Sequence, residues 1–247
     1  MKEITHLVVN GCSWTYCQGL DDPTTQGWPA LVAKELGLDV VNLAVPGSGN
    51  DGIHRRTYEY VLKNLPTGSR PFFVIAWSQS WRQEAWYETF LGNKYKYYHT
   101  VAKPTNTKNL DEYQLPLIMH WNDEHHFRRT MLYKSSLKSL FLSQDIPYIM
   151  SDYAGDHAEN VAYEKYKDLI KDELDFIYDK NHVVPFWEVT FGLPLTKCGH
   201  NGLQAQVVLK DYIINKIKEL YNITPVPSKE YLPINSIKME YNSCWKK

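Results

Sequence analysis

The sequence predicts an α/β domain in which a doubly wound parallel sheet has helices on both faces. Two observations predict it. Short apolar runs alternate with longer stretches of helical periodicity along most of the 247 residues. Loops rich in Gly, Ser and Asn directly follow three of the apolar runs, as is typical of the ligand-binding carboxyl edge of a parallel sheet. The chain is long enough for one such domain with its own core, and no linker divides it.

The first elements have clear boundaries. An apolar run at 4–9 predicts the first strand, which ends at Asn10 and Gly11. A helix is expected over 28–38, because Pro suits the first turn of a helix and Gly its end. The run at 39–44 predicts the second strand. A helix that Asn50 or Asp51 caps follows, and its expected buried face is Ile53, Thr57, Tyr60, Val61 and Leu65.

The remaining elements continue the alternation. Strands are expected at 72–77, 147–150 and, as a short fifth one, 182–187. Helices are expected at 123–143, 160–179 and 202–221. In the last helix the expected buried residues are Leu203, Val207, Ile213, Ile217 and Leu220.

Two segments lack this periodicity. The stretch 78–122 is aromatic and polar, and we interpret it as an irregular insertion. Its rings suit the wall of a pocket or a second small core equally well. The segment 222–247 contains three prolines and is expected to be an extended carboxyl-terminal arm. The predicted α/β domain is therefore 1–221.

Composition excludes several classes of protein. The net charge is −1, with 27 basic and 28 acidic residues, which gives no sign of a nucleic-acid partner or an anionic membrane surface. There is no apolar run of ~20 residues and no signal peptide, so a soluble, cytoplasmic protein is expected. The four cysteines are then expected to be reduced. Zinc or a redox-sensitive disulfide among Cys12, Cys17, Cys198 and His200 is an alternative, but the spacing matches no common metal pattern.

Ser13 and His200 are the candidate catalytic pair. Ser13 follows the first strand, and its own N–H is a potential oxyanion donor. Taken alone, it fits a turn or helix-cap hydroxyl better. A serine nucleophile needs a base. His200 lies just before the last helix, which places it at the same sheet edge, although a lone histidine is usually an ordinary surface residue.

Four sequence blocks together decide between these alternatives. They are Gly11-Cys12-Ser13-Trp14-Thr15, the segment 42–50, Trp77-Ser78-Gln79-Ser80-Trp81-Arg82, and Gly199-His200. Their order and content resemble the SGNH/GDSL hydrolase family, most closely its phage and bacterial members whose first block reads Gly-Cys-Ser-Phe-Thr. The resemblance implies a three-layer, flavodoxin-like fold with Ser13 as nucleophile and His200 as base. It also implies an oxyanion hole of the Ser13 and Gly47 N–H groups and the Gln79 amide.

The chain departs from the family pattern in three respects. Gln79 stands where the family usually has Asn. Cys198 and Lys197 stand where an Asp usually precedes the histidine, and Asn201 replaces a Pro that commonly follows it. The resemblance thus implies either a Ser-His pair, oriented by a backbone carbonyl or a distant Asp, or an inactive site.

The functional prediction is a serine esterase that hydrolyses a small O-acyl ester, with an O-acetyl carbohydrate as one candidate substrate. The expected substrate-binding residues are Trp14, Asn50, Trp81 and Arg82. No cofactor and no metal are expected, since His125 and His126 are better explained as the start of a solvated helix. The alternative is a non-catalytic module that binds a glycan or a protein, for example in a phage particle; a viral chain would act in the virion or in the host cytoplasm. The sequence does not give the oligomeric state.

Overall fold

A computed structural model describes residues 4–65, 68–80, 82–88, 95–100, 123–153, 164–165, 167–168 and 171–223. Two expected segments lie partly outside the described residues. They are the carboxyl-terminal arm from residue 224 onward and positions 160–163 of the helix expected at 160–179.

The central sheet has five parallel strands, which are β1 (His6–Asn10), β2 (Asp39–Asn42), β3 (Pro71–Trp77), β6 (Tyr148–Asp152) and β7 (His182–Val183). Their order across the sheet is β2-β1-β3-β6-β7. β1 pairs with β2 on one side and with β3 on the other. Every residue of β3 is buried, as expected for a central strand covered on both faces.

Helices pack on both faces of this sheet. They are α1 (Ser13–Tyr16), α2 (Pro23–Gln26), α3 (Trp28–Leu36), α4 (Asn50–Asn64), α5 (Asp123–Ser143), α6 (Lys171–Ile177), α7 (Phe186–Val189) and α8 (Leu203–Tyr221). The core on one face joins the sheet to α3 and α8, with Trp28 and Ile213 fully buried. The core on the other face joins it to α4 and α5, with Ile53 and Leu137 fully buried. The predicted three-layer, doubly wound architecture is confirmed.

The prediction of irregular structure after β3 is wrong for two segments. β4 (Gln83–Glu88) and β5 (Tyr95–Thr100) form a two-stranded antiparallel sheet, with Gln83 opposite Thr100. The fifth strand of the central sheet is also shorter than expected, because α7 begins at Phe186. None of the helices within the described ranges combines the length and the apolar character that crossing a bilayer requires.

The expected buried face of α8 is wrong in its first two turns. Leu203 and Val207 are 56% and 47% exposed. The buried positions there are Ala205 and Gln206 instead. Gln206 is buried because its side-chain oxygen accepts a hydrogen bond from the N–H of Trp28 at 3.1 Å, which fixes the rotation of α8 against α3.

Arg56 forms a buried ion pair that joins α4 to β4. Its Nη1 lies 3.2 Å from the Glu84 carboxylate, and the two side chains are 5% and 2% exposed. The same guanidinium donates to the Leu43 carbonyl at 3.0 Å and to Ser48 Oγ at 2.5 Å. Arg56 is therefore not a solvated helix charge, because its partner Glu84 lies in a distant segment.

A second buried polar cluster lies at the carboxyl end of β6. Lys134 Nζ is 2.5 Å from one Asp152 oxygen, and His182 Nε2 is 3.4 Å from the other. Burial lowers the pKa of His182 to about 4, more strongly than the nearby Asp152 charge raises it. Burial alone would raise the pKa of Asp152, but Lys134 and His182 outweigh it and lower that pKa.

We expect Arg56→Met to lower the free energy of unfolding by about 2 kcal/mol, because it removes one of the two guanidinium groups that pair with the buried Glu84 carboxylate, while Arg55 keeps its contact at 3.2 Å. Urea denaturation measures the change. The matched control is Arg128→Met, since Arg128 forms an ion pair with Glu124 in which the side chains are 50% and 36% exposed. It should cost less than about 1 kcal/mol. Equal stability of Arg56→Met and the wild type would contradict the assigned role of the ion pair.

We expect the stability of the protein to fall as the pH decreases from about 6.5 towards 4. Unfolded His182 binds a proton in this window, whereas folded His182, with its pKa lowered to about 4, does not. His182→Gln should therefore lose about 2 kcal/mol less than the wild type between pH 7 and pH 4.5. Urea titrations at several pH values measure how the free energy of unfolding of each protein changes with pH. The same pH dependence in the wild type and in His182→Gln would argue against the role assigned to His182.

Candidate active site

The first loop of the site is anchored directly below Ser13. Asn10 Oδ1 accepts a hydrogen bond from the Gly11 N–H at 2.8 Å, and its Nδ2 donates to Thr57 Oγ1 at 2.9 Å. A Cβ atom on Gly11 would overlap the Thr15 side chain and lie 3.0 Å from the Ala76 carbonyl. The turn after β1 is thus wedged between α4 and β3, which fixes the backbone from which Ser13 projects.

Ser13 is the first residue of α1 and is 7% exposed. Because it opens a helix, its N–H has no intrahelical acceptor. α1 ends at once, since Cys17 adopts a left-handed conformation with φ of 63° and the Gln18 N–H donates to the Ser13 carbonyl at 3.0 Å. The short helix therefore presents the Ser13 hydroxyl and N–H at the carboxyl edge of the sheet.

The second loop lies against the first. The Val45 N–H donates to the Gly11 carbonyl at 3.2 Å, which ties the two loops together by their backbones. Gly47 has a φ of 78°, in the left-handed region that favours glycine. Within the described part of the chain, its N–H donates to no other backbone group. The Gly47 N–H is thus a free donor in the loop that lies next to Ser13.

Asn50 holds the third loop. Its Nδ2 donates to the Ser78 carbonyl at 2.9 Å and its Oδ1 accepts from the Ser78 N–H at 2.8 Å. Nδ2 is also 3.2 Å from Thr130 Oγ1, and Asn50 is only 1% exposed. The observed role of Asn50 is therefore to position the third loop, and its expected contact with substrate stays a prediction.

The first and third loops enclose a small recess at the carboxyl edge. Its lining residues are Cys12, Trp14, Ser78, Gln79, Arg82 and Tyr153. Gln79 and Arg82 are half-buried, and the Arg82 N–H donates to the Gln79 carbonyl at 3.1 Å in a tight turn. The recess places the predicted oxyanion-hole residue Gln79 beside the residues that flank Ser13. Trp81 lies outside the described residues.

A tight hairpin carries His200. The Thr196 N–H donates to the His200 carbonyl at 2.7 Å, and the Gly199 N–H donates to the Thr196 carbonyl at 3.0 Å. Gly199 has a φ of 80°, as a three-residue hairpin with a glycine bulge requires. The His200 N–H donates to Thr196 Oγ1 at 3.2 Å. These bonds hold the His200 backbone from both sides.

The His200 ring lies beside the residue that follows Ser13. Its centroid is 5.0 Å from that of Trp14, and Trp14 in turn stacks on Tyr153 at 4.6 Å. Partial burial lowers the pKa of His200, a backbone hydrogen bond to Cys198 raises it, and the Arg82 charge lowers it further. The net shift is downward, so the imidazole is neutral at pH 7, which is the form that a general base needs.

Tyr153 and Asn201 belong to the site, although the sequence analysis did not select them. Asn201 Nδ2 donates to the Tyr153 hydroxyl at 2.9 Å, and both residues are buried. Asn201 thereby supports the ring on which Trp14 stacks. Tyr153 directly follows β6 at the carboxyl edge, and that position was the signal in the sequence that could have identified it.

The three described cysteines, Cys12, Cys17 and Cys198, are free thiols. Burial raises the pKa of Cys17 to about 12, and its thiol donates to Gln206 Oε1 at 3.4 Å. Among the described residues, no three Cys, His, Asp or Glu side chains come together as potential metal ligands.

A larger cavity of about 450 Å³ lies at the opposite, amino edge of the sheet. It is lined by Pro71 at the start of β3, by Pro147 just before β6 and by Tyr221 at the end of α8. It contains none of the predicted site residues, so the recess beside Ser13 is the better candidate for chemistry.

Comparison with known proteins gives structural matches only. No family model matches the sequence, and no curated protein matches it. The structure is similar to that of a carbohydrate esterase whose active site has divergent catalytic and non-catalytic binding functions, with a TM-score of 0.56 and 14% identity over 90% of this chain and 68% of that one. It is also similar to the psychrotrophic esterase EstA from Pseudoalteromonas sp., with a TM-score of 0.54 and 12% identity over 88% of this chain and 99% of the other. For TesA the TM-score is 0.52 and the identity 18%, over 87% and 99% of the two chains. The chain therefore has the SGNH/GDSL hydrolase fold.

We expect Asn50→Ala to lower the free energy of unfolding by about 2 kcal/mol, because it leaves the buried N–H and carbonyl of Ser78 without their partners. Asn64→Ala is the matched control, since Asn64 is half-buried and bonds the Tyr60 carbonyl within its own helix. It should cost less than about 1 kcal/mol. Chemical denaturation compares the two variants. Equal losses of free energy of unfolding would contradict the role of Asn50 in holding the third loop.

Proposed function

We propose that this chain, on its SGNH/GDSL hydrolase fold, is a carboxylic-ester hydrolase that uses Ser13 as nucleophile and His200 as general base. One observation carries the proposal: the His200 ring lies 5.0 Å from the ring of Trp14, the neighbour of Ser13 in α1. Two loops that are 187 positions apart in sequence thus present a hydroxyl and an imidazole at one edge of the sheet. Ser13 and His200 share no hydrogen bond within the described part of the chain, so the proposed reaction requires the two side chains to approach to about 3 Å of each other.

The proposed reaction is acyl transfer to water. His200 Nε2 accepts the Ser13 hydroxyl proton while Ser13 Oγ attacks the ester carbonyl carbon. The N–H groups of Ser13 and Gly47 and the Gln79 amide stabilise the negative oxygen that forms. The alcohol leaves with the proton from His200. Water, deprotonated by His200, then attacks the acyl-enzyme, which releases the acid and restores Ser13.

We propose an O-acyl carbohydrate as the substrate class. Similarity to a carbohydrate esterase supports this class. Arg82 lines the recess beside Ser13 and supplies hydrogen-bond donors for substrate oxygens. In this proposal Trp14 supports His200, because its ring already stacks on Tyr153. A contact of Trp81 with substrate stays a prediction.

A non-catalytic binding module is the second candidate. The observation that favours it is that Lys197 and Cys198 stand where the resembling hydrolases carry an acid. Such a module would hold a glycan or a protein at the same sheet edge without hydrolysis, since the recess of about 10 Å³ has room for no more than a water molecule. The cytoplasmic location and the phage context stay predictions in both cases.

Hydrolysis of p-nitrophenyl acetate tests the enzyme proposal. We expect Ser13→Ala to lower kcat/KM by about 10³-fold or more, because the acyl-enzyme cannot form. Ser143→Ala is the matched control, since Ser143 is exposed at the far end of α5 and bonds only locally to the Leu140 carbonyl at 2.9 Å. It should leave the rate unchanged.

Equal rates of p-nitrophenyl acetate hydrolysis by the wild type and Ser13→Ala would contradict the enzyme proposal. Titration calorimetry with acetylated cello-oligosaccharides would then test the binding module, which requires equal affinities for the wild type and Ser13→Ala. Hydrolysis that is lost in Ser13→Ala and kept in Ser143→Ala excludes that second candidate.

A further inference from the structure

We propose that Cys198 orients His200, in place of the carboxylate that the resembling hydrolases carry two or three residues before their histidine. The inference rests on the proposed function, because it concerns the base of that reaction. Cys198 Sγ lies 3.2 Å from His200 Nδ1. Cys198 is therefore a positioning residue that acts on the substrate only through the imidazole.

The sulfur is held in place from several sides. It is 3.2 Å from Thr196 Oγ1 within the same hairpin and 3.9 Å from the Gln18 carbonyl in the loop after Ser13. A Cβ atom on Gly19 would lie 2.5 Å from the sulfur, so the absence of a side chain at Gly19 leaves the space that the thiol occupies. Cys198 is exposed, and its contact with Nδ1 lies where these two loops meet.

The neighbours of the thiol decide which way its proton points. The Gln18 carbonyl only accepts hydrogen bonds, and Thr196 Oγ1 can accept as well as donate. When the S–H group donates to one of these oxygens, the sulfur lone pairs face Nδ1. This arrangement favours the tautomer that carries its proton on Nδ1.

This tautomer is the one that the proposed reaction needs. With the proton on Nδ1, the lone pair of Nε2 is available to accept the proton of Ser13. The sulfur fixes the ring as a carboxylate does, but it adds no full negative charge opposite the imidazolium. Cys198 therefore supplies the orientation of the base without the charge stabilisation.

Nitrogen NMR of histidine-labelled protein measures the tautomer directly, with His200→Gln to assign the signals. We expect His200 in the wild type to carry its proton mainly on Nδ1. Cys198→Ala should increase the Nε2–H form several-fold and lower kcat/KM by about 10-fold. Cys198→Ser restores an acceptor, but its shorter C–O bond places the oxygen farther from Nδ1, so its effect should fall in between. Lys197→Ala, an exposed position in the same turn, is the matched control and should leave the tautomer unchanged.

Cys198→Asp separates orientation from charge. A carboxylate at this position should raise the apparent pKa of His200 by about one unit, because it stabilises the imidazolium. The same shift should appear in the NMR titration and in the pH profile of kcat/KM. The other charge that acts on the ring, Arg82, is unchanged in every variant.

Two results would overturn the proposal: a wild-type His200 that carries its proton mainly on Nε2, or a Cys198→Ala variant that has the wild-type tautomer population. Near-UV circular dichroism shows whether each variant is folded, and Cys198→Ser serves if Cys198→Ala is not. A protein without esterase activity that still shows the expected tautomer change refutes the proposed reaction and supports the role of Cys198 on the ring.

Discussion

The whole site depends on the position of β1 between β2 and β3, with parallel pairing on both sides. In this register Val9 lies opposite Asn42 of one neighbour and Val74 of the other, so the three strands end at nearly the same height. The loops that follow them must then emerge side by side. The hydrogen bond from Val45 to the Gly11 carbonyl continues this pairing beyond the strands and brings the Gly47 loop to Ser13. The proximity of donors and nucleophile is thus a consequence of sheet geometry.

Buried polar groups then fix the loops more tightly than apolar contacts would. Asn10, Asn50 and Gln206 are each at most 1% exposed, and each joins two or more segments by hydrogen bonds. Their burial is tolerable only because their partners are in place, so a shifted loop would leave amide groups unsatisfied. Such a penalty makes one arrangement of the loops far more stable than its neighbours. Oxyanion donors need this rigidity, because they act without reorganising during the reaction.

Much of the fold was predictable because its signals are local. The helix Asp123–Ser143 has the predicted bounds, and the strands of the central sheet follow apolar runs that are visible in the sequence. The placement of Ser13, Gly47 and Gln79 at one edge also follows from the alternation of elements. The ion pair of Arg56 was not predictable in this way, because its partner Glu84 lies in a hairpin whose alternation is obscured by polar aromatic residues. Likewise, no local pattern in the sequence shows whether Asn50 binds substrate or holds the Ser78 loop by hydrogen bonds.

The missing acid beside His200 changes how catalysis must be divided among the groups of the site. In a triad, the carboxylate both orients the imidazole and stabilises its charged form. Here the contact of Cys198 with Nδ1 supplies the proposed orientation, and the hairpin from Thr196 to His200 holds the backbone that carries the ring. The charged form gains no such support, and partial burial and Arg82 both lower the pKa of His200. A lower pKa keeps the base neutral down to mildly acid pH, but it weakens the drive to take the Ser13 proton. In the proposed reaction the transition state must then be stabilised mainly at the oxyanion, so we expect the loops that carry Gly47 and Gln79 to be the principal determinant of its rate.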